Sequence, residues 1–276
     1  MSNPGLPSRW RPSAAISASV ALHAAAVGAL VVRPAAWPWI LGAVVADHLA
    51  LTAAGLWPRS RILGPNWTHL PAPADAARPG MLAVTIDDGP DPEVTPRVLD
   101  LLQAHGAHAT FFCVGERIAR YPQLAREIAA RGHGIENHSF HHPVNFSLLG
   151  PKGMTGEIQR TQQIIHSVTG EVAQFFRAPA GLRNPFLEPV LVKAQLRLVS
   201  WTRRGFDTVN RDPQIVLGRL TRGMRAGDIV LLHDGHAART AAGVPVILDV
   251  LPELLRRCAT ASLVPVTLRT AFAAAA

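Results

Sequence analysis

The chain has 276 residues, of which 48% are hydrophobic and 17% charged, and carries a net charge of +8. That length accommodates one large catalytic domain with a sizeable core plus an appendage. The positive charge forms no concentrated Lys/Arg run and no nucleic-acid module, and Cys113 and Cys258 lie too far apart for a redox or metal pair, so nucleic-acid binding and thiol chemistry drop out.

Part of the apolar excess is local. Ala14 to Val32 holds no charged residue, and Trp37 to Trp57 is interrupted only by Asp47, His48 and Thr52. Each approaches the roughly 20 residues a helix needs to cross a bilayer, which predicts transmembrane helices over 14–32 and 37–57. A signal peptide competes for the first, but Leu30-Val31-Val32-Arg33 is a poor cleavage site, so an uncleaved anchor is expected. Arg9, Arg11, Arg59 and Arg61 flank the outer ends and Arg33 occupies the turn, which places both outer ends, and the catalytic domain, in the cytoplasm. The protein is thus expected in the inner membrane, its basic flanks suited to anionic lipid. An ionised Asp47 inside a span costs at least about 2.5 kcal/mol, and a hairpin would bring His23 to similar depth as its partner.

Residues 58–80, rich in Pro and Ala, read as a linker or extended connection to a catalytic domain over 81–270. Beyond them strands are predicted over 82–86, 109–114, 134–136, 175–177, 196–201, 228–232 and 264–268. Helices are predicted over 95–104, 116–130, 156–168, 186–194, 213–224 and 244–258. Asp91-Pro92 and Asp212-Pro213 supply helix starts, and Gly106, Gly132 and Gly227 supply helix ends. The alternation predicts an α/β fold, a parallel sheet of about seven strands closed or nearly closed into a barrel. Such barrels carry their sites at the carboxyl ends of the strands. Asp87, Asp88, His138, Arg177 and His233 all fall there.

Two adjacent carboxylates ending an apolar strand, answered by His138-Ser139-Phe140-His141-His142, fit a divalent-metal site. One acid and two histidines would bind the ion, leaving a position for water and the second acid free as a base. Spacing leaves His141 and His142 in competition. Taken singly, Arg177 reads as an ion pair closing the rim and His233 as a satisfied strand-end histidine.

Thr85-Ile86-Asp87-Asp88-Gly89-Pro90 resembles the first motif of the polysaccharide deacetylase family, the NodB-homology carbohydrate esterases. His138 to Pro143 is similar to the second motif, Arg177-Ala178-Pro179-Ala180-Gly181 to the third and Leu231-Leu232-His233-Asp234 to the fifth, in the right order over Met81 to Leu268. The resemblance implies a distorted (β/α) barrel and metal-dependent removal of an N-acyl group, acetyl or formyl, from an amino sugar. It makes Asp88, His138 and His142 the ligands of a divalent metal, zinc in most members, and Asp87 the general base. Arg177 would orient Asp87, and His233 would be the general acid. The fourth motif departs from the family pattern: Trp201 to Asp207 stands where Asp-x-x-Asp-Trp is frequent. Trp201 with Leu231 would wall the acyl pocket, Pro179 would add a substrate contact, and Asp207 would pair with His233 and raise its pKa.

Two functions compete. One is a membrane-anchored amidohydrolase acting on an N-acylated sugar, carried on a lipid in the version the hairpin favours. The other is an inactive glycan- or lipid-binding membrane protein on the same barrel. No protein partner is implied.

Overall fold

The computed structural model describes residues 9–75 and 79–275. Helices α1 (Ala14–Val32) and α2 (Trp37–Leu56) are joined by a 3₁₀ turn at Pro34–Ala36 and pack side by side, with Ser13 capping α1. Their apolar side chains face outward: Val31 is 78% and Trp39 83% exposed. A soluble core helix would bury one face, whereas these two are long and apolar enough to cross a bilayer. The expected His23–Asp47 pair is long, 4.0 Å. Asp47 instead accepts the Ser19 hydroxyl at 2.6 Å, and His23 Nε2 lies 3.2 Å from His48 Nε2.

Residues 58–75 do not behave as a free linker. Trp67 bridges Val199, His69 bridges Asp228, and Leu63, Asn66 and Leu70 are buried. The reason is geometric, because the strand path leaves a gap in the barrel wall that this segment fills. Arg183 clamps the junction. Its guanidinium donates to the carbonyls of Ser60, Gly64 and Pro65, and its backbone N–H donates to Gly55 at the end of α2. Gly55 has no room for a Cβ, which would overlap the Arg183 carbonyl.

The strands are β1 (Gly80–Asp87), β2 (Ala109–Cys113), β3 (Gly134–Asn137), β4 (Phe175–Phe176), β5 (Arg197–Leu198), β6 (Arg203–Arg204), β7 (Ile229–His233) and β8 (Leu263–Pro265). All pairs are parallel, in the order β5-β4-β3-β2-β1-β7-β6, with β8 beside the start of β1. β5 and β6 end the path unpaired with one another, so the sheet is a half-open barrel. Because side chains alternate along a strand, Leu82, Val84 and Ile86 face the outer core under the helices, while Ala83 belongs to the inner cluster with Phe112, Phe175 and Ile229. Helix α10 (Leu268–Ala273) closes the amino-terminal end of the barrel. Its Phe272 meets Trp67 and Phe175 edge-to-face, each at 4.9 Å. The lower interior is mainly apolar, with Thr110 accepting from the Leu268 backbone N–H and Glu136 paired with Arg269 as buried polar exceptions near α10.

The remaining helices are α3 (Thr95–Ala104), α4 (Gly115–Arg120), α5 (Pro122–Ala130), α6 (Pro151–Thr169), α7 (Leu187–Ala194), α8 (Pro213–Thr221) and α9 (Val246–Thr260). The helix expected over 116–130 breaks at Tyr121, because Pro122 lacks an N–H and disfavours helical geometry in its predecessor. The strand expected over 264–268 stops at Pro265, and Thr267 caps α10 through its side chain. Cys113 and Cys258 are buried and unpaired, and burial pushes both thiols up, Cys258 to about 11.

Candidate active site and metal centre

β1 delivers its last residue, Asp87, to the rim, and the chain then turns through Asp88 in a left-handed conformation (φ 75°). That turn aims two consecutive carboxylates into one site, where a continuing strand would have sent them to opposite faces. Gly235 permits it, since a Cβ there would overlap the Asp88 carbonyl. Gly235→Ala is therefore expected to weaken metal binding at least about tenfold and cost about 1–3 kcal/mol of stability. Metal titration and thermal unfolding check both.

β3 ends at Asn137 and hands on His138, whose Nδ1–H donates to the Arg177 carbonyl at 2.8 Å. That bond leaves Nε2 with its lone pair directed at Asp88, 3.3 Å from Oδ1. His142 Nε2 lies 3.3 Å from the same oxygen. Asp88 Oδ1 is buried and receives no hydrogen bond, and one donor atom from each of the three residues lies within 4.8 Å of the others. An orphaned carboxylate oxygen facing two imidazole nitrogens fits a divalent cation, and the two-nitrogen, one-oxygen set suits zinc. His141 turns away and bonds Glu157 at 2.7 Å.

Electrostatics bear on each donor differently: burial opposes a charged His138, but Asp87 and Asp88 outweigh it and push its pKa up, so a cation binding there would displace a proton. Burial opposes ionisation of Asp88, but the hydrogen bond from His236 and the nearby His138 and His233 imidazoles outweigh it and hold the carboxyl well below the usual range. Burial, with His138 nearby, pushes His142 down to about 4, leaving a neutral imidazole fit to ligate. The role of His236, whose Nδ1 lies 3.0 Å from Asp88 Oδ2, is not legible in its spacing alone. Its place three residues beyond His233 is the only signal. Asp234 was likewise missed: it is buried against Thr95, and burial pushes its carboxyl up to about 7.

Asp87 stands beside this set, with Oδ2 3.8 Å from His138 Nε2 and Oδ1 accepting from Arg177 Nη1 at 2.7 Å. Arg177 is fully buried across the barrel interior, bonded also to Thr85 and to the carbonyls of Val199 and Ser200, with Phe112 stacked 4.2 Å from its guanidinium. On the other side His233 ends β7. Its Nδ1 and backbone N–H both engage the Asp207 carboxylate, at 2.9 and 2.7 Å, which leaves Nε2 as the nitrogen free for chemistry.

These residues surround a cavity of about 140 Å³. Trp201, Leu231 and His233 line it with Asp87, Asp88, His138 and His142. Arg177 and Asp207 lie behind the wall, in contact with Asp87 and His233 respectively. Pro179, expected to touch substrate, does not line the cavity: it is buried, and the left-handed Ala180 (φ 54°) turns Ala180 and Gly181 to the wall instead.

The family model described as polysaccharide deacetylase matches residues 74–199. A peptidoglycan-N-acetylglucosamine deacetylase of Bacillus cereus is 34% identical over 179 residues, covering 64% of this chain and 83% of that protein. A chitooligosaccharide deacetylase of Azorhizobium caulinodans is 35% identical over 160 residues, covering 58% and 76%. Among solved structures, a family 4 carbohydrate esterase from Streptomyces lividans in complex with acetate aligns with a TM-score of 0.61 at 31% identity, over 67% of this chain and 91% of that one.

Proposed function

We propose that this chain, which belongs to the polysaccharide deacetylase family, removes the N-acetyl group from an N-acetylglucosamine unit while anchored in a membrane by α1 and α2. Family membership makes it a hydrolase of carbon–nitrogen bonds other than peptide bonds. The observation that carries the mechanism is the placing of Asp87 and His233 on one small cavity with the Asp88, His138 and His142 donor set.

When bound there, a divalent cation, zinc in this reading, supplies electrophilic polarisation of the amide carbonyl and acidifies water. The rest is done by side chains. Asp87, steered by Arg177, takes the proton from the attacking water, and the imidazolium of His233 gives a proton from Nε2 to the departing nitrogen. Trp201 and Leu231 hold the acyl methyl, and the tight cavity excludes bulkier acyl groups. An inactive binding protein would need neither a carboxylate beside the metal donors nor a buried Asp207–His233 couple.

A location next to the bilayer favours a lipid-linked saccharide as substrate, because anchoring raises the local concentration of such molecules. The arginine pattern around α1 and α2 supports a cytoplasmic catalytic domain, checked by the accessibility of a tag placed after Ala276. The activity test is release of acetate from chito-oligosaccharides and peptidoglycan fragments by the full chain. Chelation is expected to abolish release and zinc to restore it. Activity that persists in metal-free protein would sink the mechanism, and metal binding without turnover would favour the binding-only reading.

A further inference from the structure

We propose that an arginine-lined cleft beside the catalytic cavity is a subsite for a phosphate or diphosphate ester on the anomeric carbon of the substrate sugar. This rests on the deacetylase reading above and narrows the substrate to an anionic glycosyl phosphate.

The cleft, about 460 Å³, is lined by Arg59, Arg204 and Arg219 with Trp57, Trp201 and Phe206, and by no carboxylate. Arg203 also reaches it but is committed to Asp228 and to the carbonyls of Arg222 and Gly223. The other three have no such commitment among the described residues. Arg59 and Arg219 each make one long bond to a carbonyl, 3.4 and 3.5 Å. Arg204 Nε is buried without a partner, and its guanidinium sits 5.4 and 4.9 Å from the rings of Trp201 and Phe206. Aromatic faces hold this guanidinium while leaving its N–H groups unspent. Three guanidiniums with unused donors and no acidic counterpart match the bidentate geometry of phosphate oxygens.

Position gives the anion its identity. Trp201 and Arg204 line both this cleft and the catalytic cavity. In a 2-acylamino sugar the acylated nitrogen is on C2 and the anomeric substituent on the adjacent C1. With the acyl group between Asp88 and His233, a C1 phosphate has only to pass Trp201 to meet Arg204. The cleft's other end is Trp57, Pro58 and Arg59, the residues that leave α2. A lipid chain esterified to that phosphate would therefore lead back toward the bilayer. A phospholipid headgroup shares the phosphate chemistry, and the test must separate the two.

Full-length wild type, Arg204→Gln and the double variant Arg59→Gln/Arg219→Gln are compared in neutral detergent. Arg59 and Arg219 are exposed, so the double variant is expected to fold, with thermal unfolding as the control. Inorganic pyrophosphate and N-acetylglucosamine 1-phosphate are expected to bind wild type at least about tenfold more tightly than either variant by calorimetry. The kcat/KM ratio of N-acetylglucosamine 1-phosphate to a neutral chito-oligosaccharide is expected to fall by a similar factor, through KM. Equal binding by wild type and both variants would overturn the subsite. So would loss of pyrophosphate binding on moving from phosphatidylcholine to phosphatidylglycerol nanodiscs, which would assign the cleft to a bilayer headgroup. Arginine-dependent pyrophosphate binding without acetate release from any substrate would instead refute the deacetylase reading and leave the anion site standing.

Discussion

Replacing Asp87 with Asn is expected to lower kcat by about 10²–10⁴-fold, equivalent to about 3–5 kcal/mol of transition-state stabilisation, with metal content unchanged. The expectation follows from a division of labour between neighbours. Asp88 supplies the carboxylate of the donor set, whereas Asp87 holds Arg177 and faces the cavity. Asn keeps an oxygen that can accept from Arg177 Nη1 but has no capacity to take a proton. Alanine is the worse probe. Removing one partner of a buried ion pair costs about 3–5 kcal/mol, and Arg177 is fully buried, so Asp87→Ala would confound folding with chemistry. His138→Ala supplies the contrast: metal and activity are expected to vanish together. Elemental analysis alongside acetate release reads both outcomes, and an Asp87→Asn enzyme of wild-type rate would remove the base from the mechanism.

Replacing Asp207 with Asn is expected to pull the alkaline limb of the kcat–pH profile down by about one to two units, toward the free-histidine value of about 6.5. Burial opposes the His233 imidazolium, but the charge and hydrogen bond of Asp207, aided by Asp87 and Asp88, outweigh it and push the pKa up to about 9. The raised value keeps His233 protonated through neutral pH, and the proton needed by the leaving amine is lost as pH rises through about 9. Linkage gives stability the same sign. This contribution is complete below the unfolded value of about 6.5 and fades as pH approaches about 9. Asn can still accept from the His233 backbone N–H, so a merely structural role would leave the limb in place. A limb still near 9 in Asp207→Asn would reassign the general acid.

Much of the fold was legible because the barrel strands are short apolar runs punctuated by glycine and proline, and each carries its polar residues at its end. The motif residues Asp87, Asp88, His138, Arg177 and His233 are read there, and the structure sets four of them on the cavity with Arg177 buried behind Asp87. What escaped depended on packing. β6 is two residues long, and α10 follows a proline by three residues, so neither offers a periodic signal. The choice between His141 and His142 turns on Glu157, which occupies His141 from α6. Spacing could not include a residue that far along the chain. Pro179 stays off the cavity because a left-handed Ala180 presents Ala180 and Gly181 of the turn instead. The docking of 58–75 followed from a gap in the sheet that no local composition announces.

The Arg183 clamp has a further consequence in the anchored state. With its guanidinium tied to three carbonyls of the 60–65 loop and its backbone to Gly55, no swivel separates the end of α2 from the barrel. With α1 and α2 in a bilayer, as proposed above, catalytic height above the lipid would be set once, at insertion. Such an enzyme would patrol a thin layer by lateral diffusion, and its turnover would track how many substrate molecules occupy each unit of bilayer area rather than each unit of volume.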